Sequence, residues 1–154
     1  MDHIEYLSAE RLVQLKAELH DLKTVKRREA ADRIEVAKAL GDLSENAEYH
    51  EAKDAMALLE NRIFEVDELL KNVRLIEDQG GASGTVHIGS TVTVEVHDKK
   101  KVFTIVGSNE ADPLTGKISN ESPIGQALLG HHVGETVEVT TPAGTHPYQI
   151  RGIA

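Results

Sequence analysis

Four acidic residues lie close together near the middle of the chain, beside the only glycine among the first 78 residues. Asp42 and Glu45 precede a long helical pattern, and Glu48 and Glu51 fall just inside it. Two carboxylates close together at an exposed position can share a hard cation such as Mg²⁺, which prefers oxygen ligands and usually retains waters. Two are too few to hold the ion alone, because it takes about six oxygens. If these acids bind such an ion, a partner must therefore supply its other ligands.

The same acids also have a purely structural interpretation. Asp-x-x-Glu before a helix is a capping box, and acidic residues in a first helical turn complement the helix dipole. A capping role for Asp42 and Glu45 therefore stays open beside the metal-binding one.

Basic residues lie on both sides of these acids. Lys38 and Lys53 are nearest to them, and the remaining members of the group are Lys26, Arg27, Arg28 and Arg33. Such a group could hold a phosphate backbone. Alternatively, Lys and Arg among Glu and Asp form an ordinary solvated helix face. The sequence leaves both interpretations open.

Two long helices are expected to position these residues. Residues 8 to about 78 are rich in helix formers and contain no proline, which predicts helix throughout. Apolar residues recur there at spacings of three and four, as in the seam of a coiled coil. They are Leu12, Leu15, Leu19, Leu22, Ala30, Ile34 and Ala37, and later Ala52, Met56, Leu59, Ile63, Val66, Leu70 and Val73. Gly41 and its cap-type neighbours predict a chain reversal, and thus an antiparallel coiled-coil hairpin over residues 1–78 with an acidic tip.

Beyond residue 78 the period of the apolar residues changes to two, which predicts strands. The predicted strands cover residues 86–88, 92–96, 102–106, 137–139 and 148–150, with turns at 97–99 and 142–145. A single helix is expected between them, because Ser122 can cap it and Pro123 suits its first position. Residues 79–154 are therefore predicted to form a mainly antiparallel sheet with one helix, which makes the chain an α+β protein of two domains.

Composition limits the class of function. The net charge of −9 argues against sequence-independent binding to free nucleic acid, and 3% aromatic residues are too few for a base-stacking platform. The absence of cysteine excludes disulfides and thiolate catalysis. No apolar run reaches the roughly 20 residues of a membrane span, and the amino terminus does not resemble a secretory signal. A cytoplasmic protein without a membrane partner is expected.

Two segments resemble the bacterial transcript cleavage factors of the GreA/GreB family. Residues 40–50, LGDLSENAEYH, resemble the tip motif of that family, and residues 118–130, ISNESPIGQALLG, resemble its carboxy-terminal domain. The likeness extends over essentially the whole chain. It is closer to the GreA branch, since the basic group is modest and the overall charge is acidic.

The resemblance implies a coiled coil inserted through the secondary channel of RNA polymerase and a carboxy-terminal domain of the FKBP-like fold docked at the channel entrance. In this family the two tip acids, here Asp42 and Glu45, help to hold a second magnesium ion in the polymerase active site and orient the attacking water. The polymerase then cleaves the 3′ end of its own backtracked transcript. The chain would thus be no enzyme, and it would bind no cofactor alone.

The same resemblance implies roles for other positions. Lys38 and Lys53 would contact the extruded RNA or the channel wall, whereas Glu121, Ser122 and Pro123 would dock onto polymerase. The expected partners are RNA polymerase and the 3′ end of the nascent RNA within the complex. The free protein is expected to be a monomer.

Three other functions compete with cleavage. A paralogue could occupy the same channel and inhibit polymerase, although the presence of both Asp42 and Glu45 favours cleavage. A peptidyl-prolyl isomerase would share the implied fold, but residues 79–154 offer only Phe103 and Tyr148 for an aromatic-lined proline pocket. A coiled-coil adaptor would use the tip acids as helix caps only.

Overall fold

The computed structural model describes residues 3–42, 45–77 and 84–154. The chain divides into two compact units, of which one comprises Met1–Ala9 with Val73–Ala154 and the other Glu10–Asn72. The predicted domain boundary between residues 78 and 79 lies outside the described residues. The segment that precedes the helices is thus grouped with the sheet rather than with the hairpin.

The unit Glu10–Asn72 is built from helices. Helix α1 spans Ala9–Asp21, α2 spans Arg27–Lys38, and α3 spans Ala47–Lys71. Five of the predicted seam residues are buried, namely Leu15, Ala37, Ala52, Ile63 and Val66. Their burial is expected if the apolar stripes of the helices face one another and the charged residues remain in water.

A single π-helical turn, Leu22–Lys26, joins α1 to α2. The seam spacing from Leu22 to Ala30 is one residue longer than a heptad. A π-helical turn takes up an extra residue, so the apolar stripe returns to the same face in α2. Within this turn the hydroxyl of Thr24 donates to the carbonyl of His20 at 2.7 Å.

Ion pairs show that α3 runs antiparallel to the helices before it. The pairs are Lys23 with Asp67, Arg27 with Glu60, and Arg33 with Glu51. The partner's number falls as the number of the basic residue rises, which requires opposite chain directions. The predicted helical hairpin is therefore confirmed.

The prediction of helix up to residue 78 is wrong at its end. α3 stops at Lys71, and strand β2, Val73–Leu75, pairs in parallel with strand β1, Glu5–Leu7. The ladder continues where the backbone N–H of Ile76 donates to the carbonyl of Leu7 at 2.8 Å. The spacing from Leu70 to Val73 fits a helix, but Val73 belongs to a sheet whose other strand lies near the amino terminus.

A five-stranded sheet forms most of the other unit. Its strands are β3, Thr91–Val96; β4, Lys99–Val106; β5, Lys117–Ser119; β6, Thr136–Thr141; and β7, Gly144–Ile153. They lie in the order β5-β4-β3-β7-β6, and every pair is antiparallel except β4 with β5. With the α-helix α4, Pro123–Leu128, this arrangement confirms the predicted α+β fold with a mostly antiparallel sheet.

Four of the five predicted strands are confirmed. Residues 86–88 form none: Thr85 makes an isolated bridge to His132, and Val86 is buried in the core. Both predicted turns are present, and the one between β3 and β4 places His97 and Asp98 at φ values of 51° and 60°. Alternation along β3 buries Val92, Val94 and Val96 in the core.

The Arg27–Glu60 ion pair gives the hairpin a small pH-dependent contribution to stability. Nε and Nη2 of Arg27 donate to the two carboxylate oxygens of Glu60 at 2.8 and 2.9 Å, and these bonds hold the pKa of Glu60 below its ordinary value. A carboxyl group whose pKa is lowered by folding stabilises the protein above its unfolded pKa, and this stabilisation is lost as the pH falls through the lowered value.

Glu60→Gln is therefore expected to lower the melting temperature slightly at pH 7, and the difference from wild type should shrink as the pH falls below 4.5, the ordinary pKa of glutamate. The effect is small because both side chains are exposed to solvent. Arg27→Gln should remove the pH-dependent difference. Melting curves of the single and double variants measure it, and a difference that is constant across this pH range would contradict the assignment.

Candidate functional site

The segment between α2 and α3 carries both predicted metal-binding acids. Asp42 and Glu45, called the tip acids below, are exposed, and with Glu48 they line an open concavity of about 430 Å³. Gly41 precedes them at a φ of 129°, which side chains rarely adopt, so a glycine lets the chain turn away from α2. Leu43 and Ser44 of the tip motif are not among the residues that the structure describes.

Helix α3 is capped by Asn46 rather than by a tip acid. The side-chain oxygen of Asn46 accepts a hydrogen bond from the backbone N–H of Tyr49 at 3.0 Å, and α3 begins at Ala47. Both tip acids precede this cap, so the capping-box interpretation of Asp42 and Glu45 is wrong. Glu48 does lie in the first turn, where its charge complements the helix dipole.

Asn46 also links the two helices at the tip. Its side-chain nitrogen donates to the carbonyl oxygen of Ala37 in the last turn of α2 at 2.6 Å. Asn46 is a functional residue of the tip that is absent from the predicted site. Its residue type and its position directly before a helical pattern are a recognisable N-cap signal, whereas the second bond depends on how the two helices meet.

The tip acids provide the kind of ligand that magnesium prefers, but two carboxylates are too few to hold the ion. Their carboxylate oxygens are hard ligands of the kind that the ion prefers. Within residues 3–42, 45–77 and 84–154, no group of three or more histidine, cysteine, aspartate or glutamate side chains is arranged to hold a metal. The tip acids therefore suit an ion whose remaining ligands come from elsewhere.

The two lysines predicted to contact RNA lie on either side of the tip. Lys38 is the last residue of α2, and Lys53 lies in the second turn of α3; both are exposed. The ammonium nitrogen of Lys53 lies 5.4 Å from the centre of the Tyr49 ring, a favourable cation–π distance. This contact holds the charge of Lys53 beside the first turn of α3.

Other members of the basic group are engaged in ion pairs. Arg27 binds Glu60, and Arg33 lies 3.4 Å from Glu51, both across the hairpin. Lys26 lies 3.5 Å from Glu29 on its own side. For these residues the geometry fits the solvated-face interpretation.

The three predicted docking residues lie together at the start of α4. Ser122 is the N-cap: its hydroxyl accepts from the N–H of Gly125 at 3.1 Å and donates to the carbonyl of Ser119 at 2.6 Å. Pro123 occupies the first helical position, and both it and Glu121 are exposed. The predicted cap and helix are confirmed, and the docking role of this group stays a prediction.

Both parts of the chain match family models of known proteins. Residues 5–75 match the model described as transcription elongation factor, N-terminal, and residues 81–154 match the one described as transcription elongation factor, GreA/GreB, C-term. The chain belongs to the GreA/GreB family.

Similar GreA/GreB relatives carry the name transcription elongation factor GreA. The relative from Caldanaerobacter subterraneus is 51% identical over 146 residues, covering 94% of this chain and 93% of its own. The one from Bacillus licheniformis is 52% identical over 133 residues, covering 85% and 84% respectively. The one from Listeria monocytogenes is 48% identical over 142 residues, covering 91% and 89%. These relatives confirm the predicted resemblance, including its closeness to GreA.

Solved structures in the same family are more distant in sequence. GreA factor homolog 1 of Thermus thermophilus is 27% identical, with a TM-score of 0.45 over 99% of both chains. The GreA/GreB factor of Nitrosomonas europaea is 18% identical, with a TM-score of 0.43 over 99% of this chain and 98% of its own.

In the part of the chain that the structure describes, we find no helix with the length and apolar character of a membrane span.

Proposed function

We propose that this chain binds RNA polymerase through its secondary channel and stimulates the polymerase to cleave the 3′ end of its own transcript in backtracked, arrested complexes. The observation that carries the proposal is the pair of exposed tip acids, which line an open concavity between α2 and α3. Membership of the GreA/GreB family of transcription elongation factors supports the proposal.

The dimensions of the hairpin suit a probe that reaches a buried site. At about 1.5 Å per residue, the 25 residues of α3 extend over roughly 37 Å. The seam buries mostly small and medium side chains, including Ala37 and Ala52 near the tip. A two-helix arm of this kind is thin enough to deliver charged groups at its end into a narrow channel.

The tip acids would complete a metal site rather than form one. Asp42 and Glu45 would hold a magnesium ion together with carboxylates of the polymerase, which supply the ligands that two acids cannot. When bound, the ion stabilises developing negative charge and acidifies a water for hydrolysis. The oxygens of Asp42 and Glu45 would accept hydrogen bonds from the attacking water and orient it. The chain itself would be a catalytic cofactor and not an enzyme.

Two other groups of residues would contact RNA and polymerase. Lys38 and Lys53 flank the tip and would contact the extruded RNA or the channel wall. Glu121, Ser122 and Pro123 would dock onto polymerase. The protein would act in the cytoplasm as a monomer, with RNA polymerase and the 3′ end of its nascent RNA as partners.

Purified backtracked polymerase complexes test this function. Added protein is expected to shorten the transcript and release a 3′ fragment in the presence of magnesium, and to leave free RNA intact when polymerase is omitted. If transcript length stays unchanged while synthesis slows, the chain is an inhibitor of the channel and the proposed function is wrong. Cleavage of free RNA would contradict the assignment as a cofactor.

Reversing the charge of the flanking lysines is expected to impair cleavage more than binding. Lys38→Glu and Lys53→Glu remove a phosphate contact and introduce repulsion with RNA, so cleavage at saturating protein should fall several-fold. Affinity for polymerase, measured by competition, should change less. Lys71→Glu, at the opposite end of α3, is the matched control and should spare cleavage. Equal losses of cleavage and affinity in the tip variants would exclude a specific RNA role.

A further inference from the structure

We propose that Asn46 is a positioning residue. Its side-chain amide links α2 to α3 by hydrogen bonds and so restricts the orientations of the tip acids. The inference deepens the proposed function and rests on it for its catalytic test. It depends on two hydrogen bonds of one side chain, which run to different helices.

The backbone of Asn46 is hydrogen-bonded, as its side chain is. The carbonyl of Asn46 accepts from the N–H of His50 at 3.2 Å, which is the first helical bond of α3. The oxygen of Ala37 accepts both the amide of Asn46 at 2.6 Å and the N–H of Leu40 at 3.2 Å. The last turn of α2 and the first turn of α3 are thus joined through one carbonyl.

The tip acids lie between these two anchor points. Residue 42 follows Ala37 by five positions, and Glu45 directly precedes Asn46. Because Ala37 is 3% exposed and its helix is packed in the seam, the anchor on α2 is rigid. A bond that closes the loop across its base limits the conformations that Asp42 and Glu45 can adopt. Displacement of a catalytic group by about 1 Å can reduce the rate about 100-fold.

Both functions of Asn46 require an amide. Its oxygen caps α3, and its nitrogen supplies the donor to Ala37. Asn46→Asp keeps the acceptor that caps the helix but has no donor at neutral pH. Asn46→Ser also keeps a cap, but its hydroxyl oxygen is attached to Cβ, one bond nearer to the backbone than the amide nitrogen, so it falls short of the carbonyl of Ala37. Both substitutions therefore remove the bond between the two helices and keep the cap at the start of α3.

The first test uses the free protein. In Asn46→Asp and Asn46→Ser, the amide of Tyr49 should remain protected from hydrogen exchange, because the cap is kept. Backbone order parameters of Asp42 and Glu45, measured by ¹⁵N relaxation, should fall below those of wild type. Asn61→Asp, an exposed change within α3, should alter neither quantity. Unchanged order parameters at both acids would overturn the proposal.

The second test uses backtracked polymerase complexes. At saturating protein, both Asn46 variants should cleave about 10- to 100-fold more slowly than wild type while polymerase affinity stays within about twofold. The serine variant excludes an effect of the added negative charge. Wild-type rates in both variants would overturn the positioning role, even if the loop is more mobile. If wild type itself fails to stimulate cleavage, the proposed function fails, and the relaxation experiment still decides whether Asn46 orders the tip.

Discussion

Asp42→Asn combined with Glu45→Gln is expected to reduce transcript cleavage by about two orders of magnitude or more while affinity for polymerase is retained. The amides keep the size of the carboxylates but remove both negative charges and weaken the oxygen ligands. Because Asn46 caps α3, the start of the helix is unaffected and the melting temperature should change little. Single-turnover cleavage at saturating protein, together with competition binding, measures the effect.

Glu51→Gln is the matched control for the tip variant. Glu51 is an exposed acid of α3 that faces Arg33 and does not line the concavity. Its replacement should leave cleavage within about twofold of wild type. If the double variant cleaves at the wild-type rate, the tip acids have no part in the reaction, and the chain would resemble an adaptor.

Gly125→Ala is expected to destabilise the sheet unit and to weaken polymerase binding. A Cβ atom at position 125 would lie 2.1 Å from the carbonyl oxygen of Ser119, and backbone cannot move aside as a flexible side chain can. The substitution must therefore displace the start of α4, including Ser122, which bonds to both Gly125 and Ser119. Overpacking of this kind costs about 1–3 kcal/mol. Thermal unfolding and the concentration needed for half-maximal cleavage measure the two effects.

Gly152→Ala separates this clash from a general effect of replacing glycine. A Cβ at position 152 would meet the side chain of Thr93 at 3.9 Å, an ordinary contact, and no positive φ is required there. This variant should unfold and act like wild type. Equal destabilisation by the two substitutions would show that the close approach of α4 to Ser119 is not the cause.

Local patterns in the sequence predicted most elements. The alternation along β3 and the capping signals of Ser122 and Pro123 describe interactions within a few residues, which spacing reports directly. β1 and β2 were not predicted, because each is three residues long and their pairing joins distant parts of the chain. β5 was also missed. It is only three residues long and pairs in parallel with β4.

The candidate site was predictable in composition but not in detail. The tip motif identified Asp42 and Glu45, yet it could not decide between capping and metal binding. Whether they cap α3 depends on where that helix begins, which is fixed by the bond from Tyr49 to Asn46. Metal binding by the two acids stays a prediction. The bond from Asn46 to Ala37 needs both helices in place, so no local pattern could reveal it.

In the proposed function, the tip acids lend negative charge to a magnesium ion that polymerase holds incompletely. The magnesium concentration that gives half-maximal cleavage in backtracked complexes tests it most directly. Wild-type protein is expected to lower this concentration relative to polymerase alone, and the Asp42→Asn, Glu45→Gln variant, bound to the same extent, should not. The same magnesium requirement with either protein would contradict the account.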